Sequence, residues 1–232
     1  MPELASSLWP DISGGPRRLL VVPLGSLEQH GPHLPLDTDT RIATAIATRA
    51  CSGVAGVGLA PAVAIGASGE HADFPGTLSI GTDALATVLV ELGRHASLHW
   101  PAMLLVNGHG GNVPAIRSAL ATLRFEGREC HAWHAGLPEA APGVPADPHA
   151  GRFETSVMLA LAPSRVRLEA AAAGDARPLR EIMPDLMSRG VRTVSPNGVL
   201  GDPTGASAAE GHQLVERLVS GLRAIVEGLV GR

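Results

Sequence analysis

The sequence predicts an α/β fold, a single layered domain in which helices flank a mostly parallel sheet. Three observations carry this. Short apolar runs alternate with longer segments of helical spacing along the whole chain. Several of the runs end at glycine or proline and pass into polar turns. No linker, low-complexity tract or internal repeat interrupts the 232 residues. One domain over residues 1–232 is therefore expected, long enough to bury a sizeable core.

The elements follow in order. "RRLLVVP", from Arg17 to Pro23, is a β-like run that stops before Gly25. "DTRIATAIATRAC" places Ile42, Ala45, Ile46 and Ala50 at helical spacing. "GLAPAVAIG" reads as a second short strand. "TDALATVLVELGRHASLHW" reads as a long helix from near Thr82, with Thr82 or Asp83 as its cap. "PAMLLVNGHGGN" is a buried strand running into a glycine-rich turn. "VPAIRSALATLRFEG" is a helix ended by Gly127. "ECHAWHAG" is another strand. "RFETSVMLALA" is a helix after a Pro/Gly-rich loop, and "ASAAEGHQLVERLVSGLRAIVEGLVG" is a long C-terminal helix.

Composition narrows the class. Hydrophobic residues make up 45% and charged residues 17%, which is globular rather than disordered. A formal net charge of -4 with no Lys/Arg run argues against nucleic acid. No apolar run reaches the roughly 20 residues that span a bilayer, so no membrane partner is expected. The start "MPELASSLWPDISGG" lacks the basic and apolar regions of a secretory signal. Cys51 and Cys130 are isolated, without metal-type spacing. A cytoplasmic protein with reduced thiols is expected.

Chemistry concentrates in polar turns. "GSLEQHGPHLPLDTDT", residues 25–40, carries Glu28, His30, His33, Asp37 and Asp39. In extended backbone Glu28 and His30 point the same way, so a carboxylate and an imidazole can meet neighbouring ions. Asp39 stands before a helix, as an N-cap or as a carboxylate bridging two ions, and both roles can coexist if its two oxygens are divided between them. "NGHGGN" puts His109 in a tight turn, as polar surface or as a ligand. A phosphate cradle is the weaker alternative, since no GxxxxGK[ST] pattern is present. "DPHAGRFETS" brings His149 on a loop and Glu154 in a first helical turn, where a carboxylate also suits the helix dipole. "SGEHADFPGT" adds His71. His95 and His99 lie four apart on a helix without a metalloprotease glutamate and read as ordinary surface or packing residues. The turns after Pro23 and Val106 share the carboxyl edge of the sheet, where α/β sites lie. No GxSxG is present, which disfavours a serine hydrolase. Oxygen and imidazole donors suit Zn, Fe or Mn, and a pair of ions sharing a carboxylate suits amide hydrolysis.

The motifs "GSLEQHGPHLPLDTD", "EHADFPGT", "NGHGGN" and "HAGRFETS", in this order, resemble the creatininase family over nearly the whole chain. That resemblance implies a homo-oligomeric amidohydrolase, of six or eight subunits, with two divalent metal ions per chain. It assigns Glu28, His30, Asp39, His109 and Glu154 as metal ligands, with Asp39 bridging, and His149 as the proton carrier to the leaving nitrogen. His33 matches a recurring histidine without a ligand role. Creatinine-hydrolysing members carry Glu where this chain has Gly111, which argues against creatinine as substrate. Trp133 corresponds loosely to their substrate-site tryptophan. The longer stretches "GASGEHADFPGTLSIGT" and "SPNGVLGDPTGASAAEG" resemble the mycofactocin-system branch. That branch implies a peptidase acting on a modified precursor peptide near its C-terminus and releasing a Val-Tyr-derived dipeptide. The alternatives are a hydrolase of a small cyclic amide or formamide, and a non-enzymatic metal-stabilised binding protein.

Overall fold

A computed structural model describes residues 3–135 and 147–231. Four strands, β1 (Leu19–Leu24), β2 (Val57–Leu59), β3 (Ala102–Asn107) and β4 (Glu129–His134), form one sheet in the order β2-β1-β3-β4. Every pairing is parallel, with Leu19 opposite both Val57 and Ala102. The central strands β1 and β3 are buried at every position. This explains their unbroken apolar text, since a parallel strand is covered on both faces.

The helices divide between the faces. α2 (Thr38–Cys51), α5 (Arg152–Leu161) and α8 (Ala208–Val230) enclose Leu19, Val21, Leu104 and Val106. α3 (Thr82–Ala96) and α4 (Val113–Phe125) enclose Leu20, Val22, Leu24, Met103 and Leu105. α1 (Trp9–Ser13), α6 (Leu179–Arg189) and α7 (Val191–Val194) complete the helices among the described residues. α8 starts at a capping turn in "SAAE", where the Ser207 hydroxyl accepts from Glu210 N–H.

Three expectations are corrected. The second strand ends at Leu59: Pro61 follows, and only Val63 rejoins the sheet edge, by a single bridge to Leu24. The cap of α3 is Gly81, at φ 78°, so neither Thr82 nor Asp83 caps it. Asp39 is not an N-cap but lies in the first turn of α2, where Asp37 takes the cap position. The Pro/Gly-rich loop expected before α5 falls largely outside the described residues. Cys51 and Cys130 are buried free thiols, and burial pushes Cys51 up to about 11. No described helix is long and apolar enough to cross a membrane.

The connectivity fixes where a site can form. From β1 the chain crosses to β2 on one side, then returns to β3 on the other. The loops leaving β1 and β3 therefore diverge at a topological switch point, which opens a crevice at their carboxyl ends.

Candidate metal centre

Two glycines close that crevice. A Cβ on Gly25 would stand 2.5 Å from Thr40 N, and one on Gly108 would stand 2.6 Å from Asp39 O. Only glycine lets the ends of β1 and β3 touch the start of α2 this closely. Asp39 is thereby delivered to His109. Asn112 ties the loops together, accepting from Ala67 N–H and donating to Gly25 O and Asn107 Oδ1. Asn107 in turn donates to His109 O at 2.6 Å.

The five expected ligands meet here. His30 Nε2 lies 3.1 Å from Asp39 Oδ1, and His109 Nδ1 lies 3.2 Å from Asp39 Oδ2. The two oxygens of Asp39 are thus divided between two imidazoles, and Ser26 Oγ donates to Oδ2. His109 Nε2 is 3.2 Å from Glu28 Oε2. Three sets of donor atoms cluster closely enough to share an ion: Glu28–Asp39–His109, His30–His149–Glu154 and Glu28–His71–His149. Glu154 accepts from Ala150 N–H at 2.6 Å. Ala150 holds a left-handed backbone at φ 54°, a strain of the kind found where a site dictates the chain path.

His149 lies on a loop, as the sequence suggests, but that loop is not open to solvent at this position. The imidazole is buried, between the rings of His30 (4.3 Å between centroids) and His71 (4.5 Å). Gln29 sets its orientation. The Gln29 amide has two hydrogens, and they go to Gly198 O and His71 Nδ1. His149 Nε2–H is left to donate to Gln29 O at 2.7 Å. Its Nδ1 lone pair then faces Glu28 Oε1 at 3.7 Å. His71 has the opposite arrangement, with Nδ1 accepting from Gln29 and Nε2–H turned toward Glu28. Its lone pair is therefore spent, which makes the set containing His71 the least suited to an ion. His30 donates from Nδ1 to Glu28 O and offers Nε2 inward. An imidazole anchored outward by one nitrogen and open inward at the other is how proteins present a metal ligand.

Electrostatics point the same way. Burial opposes charge on His30, but Asp39 outweighs it and lifts the ring to about 10. Burial likewise opposes charge on His109, and Glu28 and Asp39 raise it well above the ordinary value. Burial pushes Glu154 up to about 7, against the pull of His30. His149 falls well below its usual value through burial and the neighbouring His30 and His71. Three enclosed carboxyl groups thus create a demand for positive charge. Glu28 makes it acute: it is 0% exposed, and neither carboxylate oxygen has an aligned hydrogen bond among the described residues. Such an orphaned carboxylate is costly unless a cation partners it, so the donor set fits divalent ions.

Sequence reading left four contributors unassigned: His71, Gln29, Ser26 and Asn112. His71 was visible as a loop histidine, whereas Gln29 carried no signal beyond its place between Glu28 and His30. His33 lies outside the ligand sets and bonds Thr155 Oγ1 at 2.9 Å. Asp37 pairs with Arg41. His95 and His99 are exposed on and after α3, away from the centre. Trp133 packs against the core from β4.

A family model described as creatinine amidohydrolase matches residues 5–226. The chain belongs to the creatininase family. The mycofactocin precursor peptide peptidase of Mycolicibacterium smegmatis is 49% identical over 208 residues, covering 88% of this chain and 82% of that protein. The protein of the same name from Mycobacterium tuberculosis is 51% identical over 209 residues, covering 86% and 81%. A crystal structure of creatinine amidohydrolase superposes with a TM-score of 0.81 at 25% identity, covering 99% of this chain and 98% of that one. This creatininase-family chain is a metal-dependent hydrolase acting on amide bonds.

Proposed function

We propose that the chain is the peptidase that cleaves the modified mycofactocin precursor peptide near its C-terminus, releasing the Val-Tyr-derived dipeptide. The two peptidases at 49% and 51% identity support this substrate. The observation that carries the chemistry is Glu28, fully enclosed, without an aligned hydrogen bond, and ringed by imidazoles within 3.7 Å. Two divalent ions per chain, of zinc, iron or manganese, fit the donors: Glu28, Asp39 and His109 cluster for one, and for the other we assign His30 and Glu154, which cluster with His149, together with Asp39, whose Oδ1 lies 3.1 Å from His30 Nε2.

Bound divalent ions activate water and polarise the scissile carbonyl. The protein's own residues do the rest. Asp39, whose oxygens are divided between His30 and His109, would serve both positions. Ser26 and the backbone N–H of Ala150 fix the carboxylates of Asp39 and Glu154. His149 accepts a proton at Nδ1 and returns it to the departing amine, which is too basic to leave as an anion. Gln29 O holds the other nitrogen, so the ring keeps its orientation through the transfer.

We also propose a cytoplasmic homo-oligomer of six or eight subunits, with one domain over residues 1–232. Val88, Leu92 and Leu98 leave apolar surface open on and after α3. Light scattering at micromolar concentration yields the subunit number, and a monomer rejects this assembly.

The deciding experiment incubates the metal-loaded protein with the modified precursor peptide and follows the dipeptide by mass spectrometry. Release that stops on chelation and returns with added metal supports the reading. An intact peptide, alongside turnover of a cyclic amide or formamide, replaces it with a small-amide hydrolase.

A further inference from the structure

One carboxylate near the centre belongs to none of the three ligand sets. Glu70 sits in the 3-10 turn Gly69–His71, which sends two consecutive side chains to the site. His71 turns toward Glu28, and Glu70 turns toward His109, with Oε1 3.6 Å from His109 Nε2. Its side chain is 31% exposed, whereas Glu28, Asp39 and His109 are buried.

Gly111 explains how Glu70 reaches this place. A Cβ on Gly111 would lie 2.4 Å from Ala67 O, 2.4 Å from His109 Nε2 and 2.5 Å from Glu70 Oε1. These three atoms therefore border one small space, and that space is free only because residue 111 has no side chain. Any larger residue there would drive the Glu70 carboxylate away from the imidazole. His109 Nε2–H donates to Ala67 O at 3.1 Å, its one aligned side-chain bond among the described residues. Glu28 Oε2 faces the same nitrogen at 3.2 Å from the inner side, and the Glu70 carboxylate faces it at 3.6 Å from the outer, part-exposed side, beside that carbonyl.

We propose that Glu70 is a positioning residue for His109. Its carboxylate backs the Nε2 edge, fixes the ring with Nδ1 toward Asp39, and so strengthens the hold of Glu28, Asp39 and His109 on a divalent cation. This is the carboxylate–histidine arrangement by which an outer acceptor orients a ligand and raises its basicity. The inference rests on the metal-centre reading above.

The test is Mn2+ affinity of the full chain, measured by calorimetry after chelator treatment, for wild type, Glu70→Ala and Glu70→Gln. The unfolding midpoint of each metal-free protein serves as the control for folding. Glu70→Ala is expected to weaken one of two Mn2+ sites by about tenfold or more, the usual effect of removing such a partner. Glu70→Gln, which keeps an oxygen acceptor at the same reach, restores part of the loss. Metal-free unfolding stays at the wild-type midpoint. Wild-type affinity in Glu70→Ala overturns the proposal, as does a loss of affinity that merely tracks a lower metal-free midpoint. Wild-type protein that takes up no Mn2+, Zn2+ or Fe2+ overturns the metal-centre reading itself, and this inference falls with it.

Discussion

His149 donates from Nε2 to the carbonyl of Gln29 at 2.7 Å, and this bond turns Nδ1 toward Glu28. A proton carrier held this way can work only through Nδ1. His149→Gln is therefore expected to keep both ions and lose turnover by about 10²-fold or more, since general acid–base groups contribute on that scale. Turnover and metal content measured on one preparation separate the roles. Loss of an ion makes His149 a ligand; full occupancy with wild-type turnover removes it from the chemistry.

Asp39 divides its oxygens between His30 and His109. Removing this carboxylate would take a negatively charged donor from both proposed ion positions. Asp39→Ala is expected to lose both ions. Elemental analysis that still finds two tightly held ions per chain rejects the bridging role.

Ion uptake and metal-free stability are expected to respond to pH in opposite directions. Burial works against charge on His30, yet Asp39 lifts its metal-free value to about 10. An ion requires the neutral ring, so binding between about pH 7 and pH 9 releases protons, and affinity rises with pH. The raised value also means that folding binds this proton more tightly than the unfolded chain does. That contribution to metal-free stability is complete below about pH 6.5 and fades as the pH climbs through about 10. Calorimetry in buffers of different ionisation enthalpy reads the protons released, and alkaline unfolding of metal-free protein reads the second slope.

Chelation is expected to lower the unfolding temperature. A ligand present at 100 times its dissociation constant adds about 2.7 kcal/mol to the folded state. For a domain of this size that corresponds to a fall of about 5–10 °C on stripping one such ion. Differential scanning calorimetry before and after chelation and dialysis checks it, and an unchanged midpoint contradicts a buried ion site.

Much of the fold was legible because its signals are local. The apolar runs of β1 and β3 and the spacing in α2 and α4 read directly, since a covered parallel sheet needs unbroken strands and one-sided helices. α6 did not read, because Pro184 stands inside it and few of its residues are buried. β2 read too long, because "APAVAIG" looks like a strand although Pro61 cannot continue a ladder. The five ligand candidates were legible as motifs. Glu70, Gln29 and Asn112 were not, because each acts through tertiary contacts: across from Gly111, between two imidazoles, and among three loops. The placement of His149 failed for the same reason, since nothing beside it in sequence reports Gln29.

The closing of the crevice by Gly25 and Gly108 also sets the order of events as the chain matures. Glu28, His30 and Asp39 are near neighbours along the chain, but His109 and Glu154 join them only after β3 has docked beside β1 and α5 has packed. An early, half-built cluster offers an ion few donors and no enclosure. Ions are therefore expected to load onto a finished scaffold and to have little influence on how fast it forms. Their effect is expected on the way out: an ion held by late-forming contacts would have to be surrendered before the sheet opens, so loading would act as a brake on unfolding.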